Sequence, residues 1–320
     1  MSSPTTTIYA STDASAPVLT GAVGSLVALL NACLVAGYGA KSGAGWTRPY
    51  NASNDSVFLS GGTNPKYLNV LDNAESAGGA KEARASGFET MSAISTGTGQ
   101  FPTTTQSATG ICIRKSSTAD GTARPWILVA TNSTFYLFIQ NGDYTAPMCH
   151  GFMFGDFNSY KAGGDAYGTI IIGKQIENDA TSTNERLAYA NVGINGGAIT
   201  GHYVDRNYTG IGSSIAAQKY VDGSKTALTS STMGSAGAYI LYPNAPDGGL
   251  MVCPVYIAQT VGGNYVQRGY LYGLWNPLHA QPLNHLDTIS CSGAMAGKTL
   301  MAINVANSGQ VLIETSSTWT

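Results

Sequence analysis

The sequence predicts a mainly β protein, β-sandwich-like, made of antiparallel sheets with one helix near the N-terminus. Three observations carry that expectation. Short apolar runs of strand length recur along the chain, divided by Gly, Asn, Asp and Pro. Glycine supplies 40 of the 320 residues, nearly double the ordinary share of about 7%. Only residues 21–36 place apolar side chains at helical spacing over several turns.

In chain order, residues 1–20 are rich in Ser and Thr, contain Pro4 and Pro17, and read as an extended arm. The helix follows, with Val23, Leu26, Val27, Leu30 and Leu34 at recurring positions. Thr20 is the expected cap at its start. Gly37 and Gly39 are the expected stop. A Gly-rich bend, "KSGAGWTRPYN", then carries Trp46 and Tyr50. Strand signals come next: "SVFLSGG", "KYLNVLDN", "EARASGFETM", "GICIRKS", "RPWILVAT", "TFYLFIQN", "HGFMFGDF" and "GTIIIGKQIE". A stretch rich in Gly, Ser, Thr and Asn runs over residues 178–236, after which "GAYILYPN", "LMVCPVYIAQ" and "YVQRGYLYGLW" resume the pattern. The end reads as a hairpin turning at Asn307-Ser308-Gly309, with Gly where a left-handed residue is wanted. About a dozen strands are expected. No repeat of fixed period is visible, which disfavours a solenoid or propeller.

The hairpin from Arg124 to Asp143, "RPWILVATNSTFYLFIQNGD", is apolar on both faces. Alternate side chains of a strand face opposite sides. Trp126, Leu128 and Ala130 therefore oppose Ile127, Val129 and Thr131, and Phe135, Leu137 and Ile139 oppose Tyr136 and Phe138. Such a hairpin belongs mid-sheet with a layer on each side. The opposing sheet of a sandwich is one expected layer; the N-terminal helix or a neighbouring subunit is the other. The expected division is an arm and docking helix over 1–50, a β-sandwich body over 51–275, and a C-terminal loop and hairpin over 276–320 packed on that body.

Charged residues make up 11% of the chain and the net charge is −2, against about 25% charged residues in an average domain. A surface of Ser, Thr and Asn lacks the charges that hold monomers apart, and suits a subunit packed among neighbours. The 16 basic residues are scattered, Arg114-Lys115 being the densest pair, which argues against a nucleic-acid partner. The opening "MSSPTTTIYASTDASAPV" has no basic n-region and the first cation is Lys41, so a secretory leader is not expected. The helix falls short of the roughly 20 apolar residues that span a bilayer. Five cysteines without a CxxC pair predict free, buried thiols.

Chemical motifs are near-misses. "GTIIIGKQ" (168–175) has Gln175 where a phosphate loop needs Ser or Thr, and "GAMAGKTL" (293–300) is one spacer short. His279, His285 and Cys291 are evenly spaced, but nothing enforces their convergence on a metal. Cys149 and His150 face opposite sides of a strand, and no GxSxG elbow occurs. Asp143, Asp156 and Asp165 are expected in loops near aromatic residues and could serve a glycoside-cleaving pair, with turn formation the commoner role. No catalytic, cofactor-binding or metal residue is expected. Tyrosine is abundant at 18. "GYLYGLW" sets Tyr270 and Tyr272 on one face, and with Trp275 they form a candidate glycan or partner platform. Filling an ordinary β core is the alternative.

The stretches "LLNACLVAGYGAKSGAGWTRPYN", "ARASGFETMSAISTGTGQFPT", "RPWILVATNSTFYLFIQNGD", "GLWNPLHAQPLN" and "GQVLIETSSTW" resemble a family of tail-associated virion structural proteins from tailed bacteriophages and prophages of Gram-negative bacteria. The resemblance implies a non-enzymatic, oligomeric part of the tail, tail tip or fibre attachment, made in the host cytoplasm and assembled into the virion. Its partners would be other virion proteins and copies of itself. Val23, Leu26, Val27, Leu30, Trp46 and Tyr50 are the candidate subunit interface. A receptor- or glycan-binding module recognising a host surface glycan, a head decoration protein and a polysaccharide-degrading enzyme are the alternatives.

Overall fold

Backbone donors and acceptors in a Gly-rich, strand-forming chain are satisfied by pairing strands side by side. The computed structural model describes residues 5–181, 191–192, 201–220, 249–250, 252–261, 264–277, 283–306 and 309–319. In chain order the strands are β1 (Thr7–Ala10), β2 (Thr47–Asn51), β3 (Asp55–Leu59), β4 (Tyr67–Leu71), β5 (Glu82–Phe88), β6 (Thr90–Ala93) and β7 (Thr96–Thr98). Next come β8 (Ile111–Arg114), β9 (Trp126–Ala130), β10 (Thr134–Ile139), β11 (His150–Asp156), β12 (Asn158–Ser159), β13 (Thr169–Ile172) and β14 (Asn191–Val192). The last are β15 (His202–Arg206), β16 (Ser213–Tyr220), β17 (Val252–Val261), β18 (Asn264–Pro277), β19 (Thr288–Ser290), β20 (Thr299–Val305) and β21 (Gly309–Glu314). Among the described residues there is one α-helix, α1 (Ser25–Leu30), which continues as a π-helical turn over Asn31–Ala36. The mainly β, antiparallel architecture with an N-terminal helix is therefore the observed one.

The strands form three layers. One path runs β1-β9-β10-β11-β13-β15-β16-β17-β18-β21-β20-β19. It folds over at β16, which pairs with β15 through its first half and with β17 through its second. The two halves enclose a core that includes Val129, Tyr136, Phe138, Met153 and Ile170 from one side and Ile257, Leu271, Ile303, Ile313 and Trp319 from the other. On the opposite face of the first half, Leu128, Phe135, Leu137, Phe152 and Phe154 meet α1 and a five-stranded sheet, β2-β3-β4-β5-β8. The β9–β10 hairpin is thus the middle layer, which is why neither of its faces is polar. Each fully enclosed aromatic or aliphatic side chain there contributes roughly 1.5–3 kcal/mol.

The folded sheet is also joined at its edges. β11 runs on into β12, which crosses to pair with β18. Cys149 bridges Val305 in parallel, and Thr5 bridges Thr318. These contacts use backbone groups that an open edge would leave unpaired.

Several expectations change. Residues 7–10 are not a free arm: β1 pairs with β9, and Tyr9 and Leu19 are wholly buried. The edge of β9 offers unpaired backbone groups, and the oily residues of the N-terminal segment fill the core beside it. Thr20 does not cap α1, because its Oγ1 accepts the Ala22 N–H at 3.1 Å. The cap is tertiary. Gly24, at φ 75°, leads into the helix, and the Asp72 carboxylate accepts the Leu26 N–H at 2.9 Å. Gly37, at φ 80°, ends the π turn as expected. The C-terminal hairpin β20–β21 is an integral part of the outer sheet through the β18–β21 pairing. "GAYILYPN" and the Asn307-Ser308 part of the expected turn lie outside the described residues.

Candidate functional site

Two surfaces and one buried charge node stand out. The first surface begins with an ion pair. Lys41 Nζ lies 2.6 Å from Asp13 Oδ2 and donates to Ile8 O at 2.7 Å. Tyr38 Oη donates to the same carboxylate oxygen at 2.7 Å. Burial acts to raise the Asp13 pKa, but hydrogen bonds from Lys41 and Tyr38 outweigh it and hold the carboxyl below its usual range. Between these two clasped residues, 14–40, the chain carries no charge at all. Its inward side chains, among them Leu26, Leu29, Leu30 and Leu34, belong to the core. Its outward ones include Val18 at 63% and Val23 at 40% exposure, beside exposed Ala22, Ala28 and Ala36.

This corrects the expected interface. Leu26, Val27, Leu30 and Trp46 are buried against the chain's own sheets and present nothing to a neighbour. The nearest oily surface for an apolar helix face is the middle layer of the same chain, so it is covered there. Trp46 donates its Nε1–H to Thr131 O at 2.9 Å and sets its ring edgewise to Phe135, centroids 5.6 Å apart. Tyr50 is half-buried and donates to Met91 O at 3.1 Å, holding the β6–β7 hairpin on the five-stranded sheet. Val23 alone of the six is exposed. Val18 was not anticipated, although its signal was present: in extended chain a buried Leu19 turns its neighbour outward.

The second surface is aromatic. Tyr270 of β18 lies directly across from Tyr256 of β17. Tyr160, just past β12, brings its ring within 5.9 Å of that of Tyr270, centroid to centroid, and is 54% exposed. The Asn158 amide donates to Tyr270 Oη and fixes its position. Burial raises the pKa of Tyr160 and of Tyr256 above the ordinary tyrosine value, so both hydroxyls stay protonated at neutral pH. The other two members of the expected platform do not join. Tyr272 packs against the core between the sheet halves, and Trp275 against Leu300, Ala302 and Leu312. The cause is a bulge: the register jumps from Pro254↔Trp275 to Tyr256↔Tyr270, and Gly273 sits at φ 63°. A reading that alternates strictly loses phase across those residues. Tyr160 and Tyr256 carried no local signal, because only the β12–β18 and β17–β18 pairings bring them to Tyr270.

The charge node ties the layers together. Lys66, between β3 and β4, donates to Ala166 O at 3.1 Å and lies 3.4 Å from Asp205 Oδ2 on β15. Arg268 on β18 donates to Asp165 Oδ2 at 2.6 Å, to Tyr167 O at 2.7 Å and to Arg206 O at 3.0 Å, and also to Gln259 of β17. Asp156 accepts the Thr169 hydroxyl at 2.7 Å. Burial lifts Asp156 to about 6 and Asp205 to about 7, Lys66 opposing the rise in both. Asp165 moves the other way: burial acts to raise it, and hydrogen bonds from Ser159 and Arg268 overcome that. Asp143, the third carboxylate considered, is paired with Arg114 at 2.8 Å.

The remaining motifs are absorbed into the fold. Ile170–Ile172 of the first phosphate-loop lookalike form part of β13, and Lys174 donates to Asp179 O at 2.7 Å and Thr181 O at 2.9 Å. Lys298 of the second pairs with Glu314 at 2.8 Å. His285 Nδ1 accepts the Asn304 N–H at 3.1 Å; His279 lies outside the described residues. Among the described residues no group of three or more His, Cys, Asp or Glu side chains could hold a metal ion. No described helix is long and apolar enough to cross a membrane.

What the fold and these surfaces define is a layered β protein with an uncharged N-terminal segment and a tyrosine cluster. No family model matches the chain, and no curated protein matches it.

Proposed function

We propose that this chain is a structural protein of a tailed bacteriophage particle, a tail, tail-tip or fibre-attachment component that assembles through subunit contacts. The observation that carries the reading is the uncharged segment 14–40, with Val18 and Val23 exposed on a three-layer body. A surface without charge offers little electrostatic resistance to close approach, and two exposed valines supply apolar area for contact. The sequence resemblance to tail-associated virion proteins supports the same reading. Neighbours on this segment are other virion proteins or further copies of the chain.

The test is the double variant Val18→Lys, Val23→Lys. Both side chains already face solvent, so the isolated protein folds with an unchanged thermal midpoint. It is expected to be missing from purified particles, and wild-type incorporation of the variant refutes the reading.

A second reading rests on Tyr160, Tyr256 and Tyr270. An exposed Tyr160 ring beside half-buried Tyr256 and Tyr270 suits a sugar ring, which stacks its C–H face and hydrogen-bonds at its rim. On this reading the chain is a receptor- or glycan-binding module of the same particle.

A further inference from the structure

Asp72 follows β4 and Lys115 follows β8, two strands that flank β5 in the five-stranded sheet. Both side chains are at 0% exposure, and Lys115 Nζ is in direct contact with Asp72 Oδ1. Among the described ion pairs this is the one whose two members are both fully enclosed.

The surroundings are ordered around both groups. Lys115 Nζ donates to Ala22 O at 2.5 Å and lies 3.3 Å from Ser25 Oγ. Asp72 Oδ2 accepts the Leu26 N–H at 2.9 Å. The Asp72 backbone is itself held, its N–H donating to Asp55 Oδ1 at 2.9 Å. An amine and a carboxyl are thus pinned against each other with water excluded.

We propose that Lys115 and Asp72 condense into an intramolecular isopeptide bond. The bond forms between Nζ and Cγ, and the Cγ–Oδ1 bond breaks. Lys115 begins as –NH3⁺ and Asp72 as –COO⁻. One proton passes from Nζ to Oδ1, which leaves a neutral amine and a neutral acid. The nitrogen lone pair then attacks Cγ. The negative charge that develops on Oδ2 is met by the Leu26 N–H, already aimed at that atom. A second proton passes from nitrogen to Oδ1, and Oδ1 leaves as water. Three protons on nitrogen become one on the amide and two on the departing water. The charges cancel, and no oxidant, reductant or outside reagent is consumed. In the product the amide N–H keeps Ala22 O as its acceptor and the amide oxygen keeps the Leu26 N–H, while Ser25 Oγ gives up the amine and retains its donation to Thr20 O at 2.8 Å.

Two physical effects favour the step. Fixing the reactants in contact replaces a bimolecular encounter, an advantage that reaches effective molarities on the order of 10⁵ M and above. Burial also disfavours both charges, pushing Asp72 up to about 6 and Lys115 down against their mutual attraction, toward the neutral forms that react. An amide removes the desolvated charges that an ion pair would keep. The link joins β4 to β8 beneath α1, and closes a loop with a sequence separation of 43.

The experiment is the intact mass of the denatured, full-length wild-type protein, followed by tandem mass spectrometry of its peptides. The expected mass falls one water below that of the linear chain, with a branched peptide joining residues 72 and 115. The Lys115→Met variant is expected to regain the full linear mass. Asp72→Asn is expected to give the same branch with loss of ammonia in place of water, because the amine then displaces an amide nitrogen. A folded wild-type protein at full linear mass overturns the proposal. So does a mass short by one water whose peptides spanning both residues are linear, since a cyclised aspartyl residue elsewhere loses the same mass.

Discussion

Acidification from about pH 7.5 to about pH 5 is expected to stabilise this protein, with Asp205 as the main source. Asp205 is wholly buried, and burial lifts it from its ordinary 3.8 to about 7. Lys66 Nζ stands 3.4 Å from Oδ2, the Arg206 N–H donates to Oδ1 at 2.9 Å, and Arg268 acts from a greater distance. The folded chain holds a proton on Asp205 at a pH where the unfolded chain has lost it. The resulting stability is complete below the ordinary aspartate range and disappears as pH rises through about 7. At about 1.4 kcal/mol per unit, the whole shift corresponds to about 4 kcal/mol, of which about 2–3 kcal/mol falls between the two pH values. Asp156, lifted to about 6, adds in the same direction. Asp13 and Asp165, held below the ordinary range, titrate beneath this window. His285, whose pKa burial lowers from 6.5, opposes the gain. The comparison that isolates Asp205 is therefore wild type against Asp205→Asn, each unfolded in denaturant at both pH values. The variant is expected to gain about 2–3 kcal/mol less on acidification. Equal gains in the two proteins, or a smaller gain in wild type, refute the assignment.

Two further outcomes follow from the geometry. Gly269→Ala places a Cβ 1.8 Å from Asn158 O, so it separates β12 from β18 and costs about 1–3 kcal/mol, read as a lowered thermal midpoint. Tyr160→Ala removes a side chain that is 54% exposed; stability stays within about 0.5 kcal/mol of wild type, while retention on a glycan array is lost if the tyrosine cluster holds sugar.

The sites divide by how far apart their members lie in sequence. Val23 was expected beside Leu26, Val27 and Leu30 on one helical stripe, but the helix begins only at Ser25, so Val23 sits in the turn before it and stays exposed while the other three are buried. The tyrosine cluster was legible only through Tyr270, because Tyr160 and Tyr256 reach it across strand pairings that no local pattern encodes. The Asp72 cap on α1 was missed for the same reason: capping is sought among adjacent residues, and here the acceptor arrives from the end of β4. Leu26, Leu30 and Trp46 were recognised as apolar surface needing a cover, but composition does not say whose surface provides it.

By itself the sequence determined the strand-dominated character, the single helix and its Gly37 stop, and the enclosure of the β9–β10 hairpin on both sides. Those properties follow from local preference and from alternation, which act within a few residues. The tertiary structure decided that the N-terminal segment is a strand of the body, that the long sheet folds over at β16, and that Tyr272 packs against the core between the sheet halves and Trp275 against Leu300, Ala302 and Leu312. It also decided that Lys115 meets Asp72 in a dry interior. Each of these depends on register and on contacts between distant segments, where one bulged strand or one competing apolar surface shifts the outcome for every residue beyond it.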